Sequence, residues 1–182
     1  MCLVYSFGLK FDWSFDENVS KTFDCEVHSF DPSMDLPFHM HSPGIYFHRI
    51  GIFDNDTNIQ GVIRRSPLGK RRKSTWKVRT LQSILKDNGH LNHRIDILKL
   101  DVEGAEWAAF HNMISTWVLK NVKQLLVEFH GIGSTNRLLV IRQLYDEGFR
   151  VFWVHRNPVC GGHVENVPVC GCIETCFVNT HM

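Results

Sequence analysis

Short apolar runs alternate with helical patterns along this chain, and this alternation constrains the fold more than any other feature. Near-continuous apolar runs are typical of strands in a parallel sheet that is covered by helices on both faces. Seven runs have this character: residues 3–7, 27–30, 46–53, 95–100, 122–129, 151–154 and 174–179. Amphipathic segments separate most of them. We therefore predict an α/β fold built on a doubly wound sheet.

The segments between the runs carry helix signals. Ser14-Phe-Asp-Glu17 has the form of a capping box, and Phe15, Val19 and Phe23 are spaced for one helical face. Three further helices are expected, with inward-facing residues at Leu81, Ile84 and Leu85, at Trp107, Phe110 and Ile114, and at Leu138, Ile141, Leu144 and Tyr145.

Length and composition limit the class of protein. The 182 residues fit a single domain, 1–182, and the 43% hydrophobic content is sufficient for a buried core. The 20 Lys and Arg residues are nearly balanced by 19 Asp and Glu residues, whereas nucleic-acid-binding domains are usually strongly basic. No apolar run is long enough to span a bilayer, and the N-terminus lacks the basic start of a signal peptide. We therefore expect a soluble domain with no nucleic-acid partner, no membrane span and no targeting segment.

One basic segment interrupts the alternation. Residues 64–79 contain eight basic side chains and no acidic one: Arg64, Arg65, Lys70, Arg71, Arg72, Lys73, Lys77 and Arg79. One interpretation is a solvated, mobile loop inserted between structured elements. The other is a docking surface for an acidic partner, a phosphate-bearing substrate or a membrane headgroup.

Six cysteines leave the thiol chemistry open. Cys2 and Cys25 begin apolar runs and are interpreted most simply as small buried hydrophobic residues. The other four lie in a Cys/His-rich loop, 155–176, together with two histidines: Cys160, Cys170, Cys172, Cys176, His155 and His163. That loop is compatible with a zinc site, with one or two disulfides, or with free thiols. The Cys-x-Cys spacing is unusual for structural zinc, so we predict no metal site.

The cellular compartment is also open. Two Asn-x-Ser/Thr triplets begin at Asn18 and Asn55, and such triplets also arise by chance. They permit a secretory location, in which disulfides would persist. The sequence therefore predicts no single localisation.

Acidic residues follow several of the predicted strands. In an open parallel sheet, ligands bind beyond the carboxyl ends of the strands, near the point where the strand order reverses. Asp31 follows the second strand, where a carboxylate commonly accepts the hydroxyl protons of a ribose. Asp101 and Glu103 follow the fourth strand, and His130 follows the fifth. Gly8, after the first strand, lets a ligand approach the backbone.

Each of these residues also has a simpler interpretation. Asp31 can be a turn residue before Pro32, Glu103 can stabilise the first turn of the next helix, and His130 can be a polar strand end.

The loop after the first strand has one glycine, whereas a dinucleotide-binding loop would have Gly-x-Gly-x-x-Gly. The chain therefore lacks the phosphate cradle that a nicotinamide or flavin dinucleotide needs. A nucleoside without phosphates, such as S-adenosylmethionine, does not need it, and an edge lined by carboxylates suits a sulfonium cation.

Several segments resemble a known family. The residues 95–107, Ile-Asp-Ile-Leu-Lys-Leu-Asp-Val-Glu-Gly-Ala-Glu-Trp, are similar to the hallmark segment of FkbM-type and methyltransferase-like-24-type S-adenosylmethionine-dependent methyltransferases. Four other segments resemble the methyltransferase-like-24 branch: residues 4–8, 12–16, 27–33 and 152–158. The resemblance covers nearly the whole chain and implies a class I methyltransferase fold, with strand order 3-2-1-4-5-7-6 and the seventh strand antiparallel.

The resemblance also implies roles for individual residues. Ser6, Phe7 and Gly8 would line the methionine side of the cofactor, Asp31 would hold its ribose, and Asp101 would face the cofactor or the methyl acceptor. Two departures from the family pattern are Lys10, where a small residue is usual, and the start of the chain at its first strand, where relatives have a helix.

These observations favour one function and leave one alternative. We expect an S-adenosylmethionine-dependent methyltransferase, with O-methyl transfer to a small-molecule or glycan acceptor by analogy with FkbM-type enzymes. Candidate bases are Asp101, Glu103 and His130. The alternative is a catalytically inactive methyltransferase-like binding module, which the two departures favour.

Overall fold

Eight strands form the central sheet of the computed structural model, which describes residues 2–157, 160–164 and 167–182. The strands of the chain are β1 (Cys2–Phe7), β2 (Cys25–Phe30), β3 (His39–Ser42), β4 (Ile45–His48), β5 (Gly51–Ile52), β6 (Thr57–Ile63), β7 (Arg72–Arg79), β8 (Ile95–Leu100), β9 (Val122–His130), β10 (Phe149–Arg156), β11 (Gly161–Val164), β12 (Val167–Cys170) and β13 (Cys172–Asn179). The helices are α1 (Ser14–Phe23), α2 (Leu81–Asp87), α3 (Glu106–Ser115) and α4 (Thr135–Asp146), with a short 3-10 helix at Val118–Asn121.

The order of strands confirms the predicted fold class. The central sheet runs β10-β13-β9-β8-β1-β2-β4-β3. Strands β4, β2, β1, β8 and β9 are parallel to one another, and β13 is antiparallel to both β9 and β10. Seven of the strands thus follow the order 3-2-1-4-5-7-6. Strand β3 is an additional antiparallel strand at one edge, which the sequence analysis did not predict.

Strand β1 illustrates why the inner strands are apolar on both faces. Leu3, Tyr5 and Phe7 belong to the main core, which also contains side chains of α2, α3 and α4. Val4 faces the opposite side and packs in a smaller core with Val19 of α1. Complete burial of an apolar side chain such as that of Leu3 or Val4 contributes about 1.5–3 kcal/mol to the stability of the folded state.

The third predicted strand, residues 46–53, is divided in the structure. Strand β4 belongs to the central sheet, whereas β5 pairs with β7 in a separate three-stranded sheet of order β5-β7-β6. The Ile50 N–H donates to the carbonyl of His48 at 2.9 Å, so a tight turn separates the two strands. The prediction of one continuous strand was wrong, because apolar character alone does not reveal such a turn.

The basic segment 64–79 is a loop only in its first half, because residues 72–79 form β7 and pair antiparallel with β6. Three guanidinium groups lie against a single carboxylate: those of Arg49, Arg65 and Arg72 are 2.8, 3.2 and 3.2 Å from Asp35. The hydrogen bond from Arg65, with the other two cations nearby, lowers the pKa of Asp35. Part of the positive charge of segment 64–79 is therefore neutralised within the chain. An acidic docking partner for its other basic side chains stays a prediction.

The predicted helices are present, but some of their details differ. Helix α1 has no side-chain cap at Trp13, so the predicted capping box was wrong; instead, the Ser14 N–H donates to the Asp12 carboxylate at 3.0 Å. Three residues that were expected to face inward are instead exposed: Phe23, Leu138 and Tyr145. No helix in the described ranges is long and apolar enough to cross a membrane.

The cysteines differ from the prediction more clearly. Cys2 and Cys25 form a disulfide between the paired strands β1 and β2, with 4.5 Å between their Cα atoms. They pack in the smaller core, in agreement with their interpretation as small hydrophobic residues, but the sequence analysis did not predict their covalent bond. Cys160 and Cys172 form a second disulfide, and Cys176 is a free thiol. The side chains of Cys170 and His163 lie outside the described residues.

Candidate functional site

A cavity of about 120 Å³ opens at the carboxyl ends of β1, β2 and β8. The chain leaves β1 toward β2 on one side and returns to β8 on the other, so the strand order reverses at this edge. Five of the residues predicted from sequence line the cavity: Phe7, Gly8, Asp31, Asp101 and Glu103. The topology therefore brings together most of the predicted site.

Ser6 and His130 do not line this cavity. Ser6 is completely buried on the α1 face of β1, because alternate residues of a strand point to opposite faces. On that face lies a buried carboxylate, Asp16, which accepts a hydrogen bond from the Ser29 hydroxyl at 2.6 Å. A cofactor contact for Ser6 stays a prediction that the position of this residue does not favour.

Gly8 makes the closest backbone approach in the site. Its φ angle is +90°, and its N–H donates to the carbonyl of Phe30 at 2.9 Å. A Cβ atom at this position would overlap the carbonyl oxygen of Asp101. The residue must therefore be glycine for β1 and β8 to lie together at the cavity.

Asp31 is 3% exposed and organises the loop beyond β2. Its Oδ1 accepts hydrogen bonds from the Ser33 N–H at 2.7 Å and from the Ser33 hydroxyl at 2.6 Å. Its Oδ2 accepts one from the Lys10 N–H at 2.8 Å. Asp31 is thus a turn residue, as its simpler interpretation stated, and it also lines the cavity.

The charge of Lys10 is paired. Its ammonium group forms an ion pair with Glu103, and both residues line the cavity. Burial opposes the charge of Lys10, but Glu103, together with Asp101 and Glu128, raises its pKa overall. Because Lys10 has a carboxylate partner, it is not an isolated cation at the cavity wall.

Asp101 is the most strongly perturbed carboxyl group of the site. Its N–H donates to the carbonyl of Phe7 at 3.1 Å, while its buried Oδ1 has no hydrogen-bond partner among the described residues. Burial, together with the neighbouring carboxyl of Glu128, raises the pKa of Asp101 to about 6. A carboxyl with this pKa can exchange a proton near neutral pH.

His130 is held by a carboxylate that the sequence analysis did not single out. Glu106 is completely buried, and its Oε1 accepts the N–H of His130 at 2.8 Å and lies 3.2 Å from its Nδ1. The other oxygen accepts the N–H of Gly104 at 2.8 Å. The hydrogen bond that the His130 ring donates to Glu106, aided by the charges of Glu128 and Glu103, raises the pKa of His130.

Asp101, Glu128 and His130 present donor atoms within 4.8 Å of one another. Two carboxylates and an imidazole suit either proton exchange or a divalent cation. Glu128 is fixed by the Asn157 amide, which donates to it at 2.7 Å.

Part of the cavity wall comes from residues that the sequence analysis missed. Ile59 of β6 and Trp76 and Val78 of β7 line it, together with Phe53. The indole N–H of Trp76 is buried with no hydrogen-bond partner among the described residues. The only sequence signal for this wall was the alternation of polar and apolar residues around Trp76, which the basic charge of the segment obscured.

A second and larger cavity, of about 450 Å³, lies on the α1 side of the sheet. Asp101 belongs to the walls of both cavities. The second wall also contains Glu128, Glu174 and the indole of Trp153, which is 47% exposed. Asp101 is therefore a residue that the two cavity walls share.

The fold and the position of the cavity at the strand reversal define a methyltransferase-type α/β protein. A family model described as "Methyltransferase domain" matches residues 1–178, and the chain belongs to this family. The chain is 36% identical over 168 residues to "Probable methyltransferase-like protein 24" of Homo sapiens, and 37% identical over 168 residues to the protein of that name from Rattus norvegicus. The resemblance predicted from the sequence is thereby confirmed.

The alignments cover 86% of this chain but only 43% and 44% of the two relatives, so the chain spans less than half of their length. The fold is also similar to the crystal structure of methyltransferase FkbM from Methylobacillus flagellatus KT. That similarity has a TM-score of 0.50 and 12% sequence identity, and it covers 94% of this chain and 42% of the other.

Proposed function

We propose that this domain is an S-adenosylmethionine-dependent methyltransferase that methylates a hydroxyl oxygen of a small-molecule or glycan acceptor. The observation that carries the proposal is the cavity at the strand reversal. Its wall is mostly apolar, with Ile59 and Trp76 among its side chains, and it also includes Gly8 and the carboxyl-bearing residues Asp31 and Asp101. Pockets of this composition suit a ligand with both an aromatic ring and polar groups.

The residues present fit that cofactor. The apolar lining suits a purine ring, and the Trp76 N–H is a buried donor for which a ring nitrogen would be an acceptor. The unpaired Oδ1 of Asp101 suits a cationic group. When bound, the cofactor supplies an electrophilic methyl group on a sulfonium ion.

Asp31 is the residue that would hold the ribose. A carboxylate has about four acceptor positions, and Asp31 already uses three of them. One hydroxyl could bind in the fourth position, and a second could replace the Ser33 hydroxyl. Because the two backbone N–H donors fix the carboxylate, it would be oriented before the cofactor binds.

The second cavity is the proposed acceptor site. The exposed ring of Trp153 offers an apolar face against which a sugar could pack, and Glu128 and Glu174 can accept hydrogen bonds from hydroxyl groups. An acceptor hydroxyl beside Asp101 would lie next to the residue that both cavity walls share. Positioning of that oxygen would supply most of the rate enhancement. With its pKa of about 6, Asp101 could hold the proton that the acceptor hydroxyl loses when it is methylated.

Calorimetric titration tests the cofactor site. We expect the chain to bind S-adenosylmethionine and S-adenosylhomocysteine, and Asp31→Ala to weaken both by about 1–3 kcal/mol, or roughly 5- to 150-fold. Asp87→Ala is the matched control, because Asp87 is an exposed carboxylate on α2. A thermal melt of each variant separates loss of binding from loss of folding. Absence of binding by the wild-type chain would contradict the enzyme proposal.

The alternative, an inactive binding module, rests on Lys10, which brings an ammonium group to the cavity wall. The two functions differ in turnover. Production of S-adenosylhomocysteine with a panel of sugars and phenols supports the enzyme, whereas tight cofactor binding with no product from any acceptor supports the binding module. If the domain is a binding module, replacement of Lys10 by glycine should not give rise to product formation.

A further inference from the structure

Three potential metal ligands converge on the main-core side of β2, away from the candidate active site. Glu26 and His28 are two residues apart on β2 and therefore share a face, and His90 lies just beyond α2. The His28 Nε2 is 3.0 Å from the Glu26 Oε1, and the His90 Nε2 is 3.6 Å from the same oxygen. All three donor atoms lie within 4.8 Å of one another.

The second nitrogen of each imidazole is held by another side chain. The Nδ1 of His28 is 2.9 Å from the Nε2 of His48, and the Nδ1 of His90 is 2.9 Å from the hydroxyl of Tyr5. Both partners can accept a hydrogen bond from the Nδ1–H group, which leaves an Nε2 lone pair for a metal. Ligating histidines in proteins are oriented by hydrogen bonds of this kind.

The spacing and chemistry of the donors favour zinc. In a tetrahedral site with bonds of 2.0–2.2 Å, ligand atoms lie about 3.3 Å apart. The two distances at Glu26 are close to this value. Two imidazoles and one carboxylate are a common zinc donor set, whereas magnesium and calcium prefer oxygen ligands. The fourth position would be left for water.

The cluster is accessible to an ion from solvent. The side chain of Glu26 is 28% exposed, whereas those of His28 and His90 are 8% and 12% exposed. Glu26 precedes Asp31 by five residues, which is roughly 16 Å along an extended strand. A ring of Phe30 stacked against Tyr5 lies in between. The cluster is therefore separate from the cofactor cavity.

We propose that Glu26, His28 and His90 form a binding site for one zinc ion. The ion would join strand β2 to the segment after α2, and would thereby stabilise the folded state in proportion to zinc occupancy. This role is independent of the proposed methyl transfer.

Titration of the full chain with zinc chloride, after treatment with a chelator under non-reducing conditions, tests the proposal. We expect one zinc ion per chain, and at least tenfold weaker binding in Glu26→Gln and in His90→Ala. His111→Ala is the matched control, because His111 is exposed on α3, and Asp101→Asn controls for the carboxylates near the active site. Both controls should bind zinc as tightly as the wild-type chain.

Two further measurements keep the test independent of folding. Zinc should raise the melting temperature of the wild-type chain but not that of Glu26→Gln, and cobalt(II) should give the visible absorption of a tetrahedral complex only when Glu26 and His90 are intact. Unchanged zinc binding in both variants, or no binding by the wild-type chain, would overturn the proposal. Loss of binding in Asp101→Asn alone would also overturn it, since the ion would then be at the other cluster.

Discussion

Gly8 packs directly against the backbone carbonyl of Asp101, and no side chain fits between them. The two residues lie at the carboxyl ends of neighbouring parallel strands, β1 and β8. Both residues line the first cavity, and Asp101 also belongs to the wall of the second cavity, so their contact fixes the backbone at the residue that the two walls share. The stability of the sheet edge and the geometry of the site therefore depend on the same position.

Replacement of Gly8 by alanine should be strongly destabilising. The added methyl group would overlap backbone atoms, and alanine would have to adopt a φ angle of +90°. We expect the free energy of unfolding to fall by about 2–4 kcal/mol in urea denaturation. Gly89→Ala is the control, because Gly89 has a φ angle of +75° but open space around its Cβ position, so only about 1–2 kcal/mol should be lost. If Gly8→Ala and Gly89→Ala lose the same free energy of unfolding, the backbone moves to make room for the methyl group at position 8, and the prediction is contradicted.

The raised pKa of Asp101 predicts a pH dependence of stability. Its pKa rises from 3.8 in the unfolded chain to about 6 in the folded chain, so the folded state binds more protons between these values. Ionisation of Asp101 therefore costs stability as the pH rises from about 4 to 6, and the cost persists above 6. Asp101→Asn should remove this dependence and stabilise the chain at pH 7, by on the order of 1–2 kcal/mol after solvent screening. The check is the free energy of unfolding of the wild-type chain and of Asp101→Asn, measured by denaturation at several pH values. If the two free energies change with pH in the same way, the prediction is contradicted.

Replacement of Glu106 by glutamine should lower the pKa of His130. The hydrogen bond from the His130 ring to the Glu106 carboxylate is the largest cause of the raised pKa of His130. In the wild-type chain this interaction contributes stability below pH 6.5, which is lost as the pH rises through the higher folded-state pKa. Glu106→Gln should reduce that contribution and cost about 1–3 kcal/mol overall. An NMR titration of the His130 ring measures the change. Glu103→Gln should have a smaller effect, because Glu103 is half-exposed and 3.6 Å from the Nε2 atom of His130.

The disulfide between Cys2 and Cys25 should contribute about 3 kcal/mol to stability, since it closes a loop with a sequence separation of 23. Replacement of both residues by serine should lower the denaturation midpoint under non-reducing conditions by a corresponding amount. Cys176→Ser, which removes a free thiol, is the control and should change stability much less. If mass spectrometry of the wild-type chain finds both thiols free, the bond does not form in solution.

The strands and the edge that carries the candidate site were predictable from the sequence. Residues 3–7 are almost entirely apolar because the inner strand they form is buried on both faces, and that pattern does not depend on which strands are neighbours. Asp31 and Asp101 could be assigned to one edge for a related reason, since parallel strands place their carboxyl ends together.

Contacts between distant parts of the chain could only be decided by the tertiary structure. Glu106 holds His130, and Trp76 from a strongly basic segment reaches the cavity wall, because the strand crossovers bring them there. The same applies to the convergence of Glu26, His28 and His90. Sequence patterns report whether a residue is buried, but its partner depends on strand register and on the path of the chain between strands.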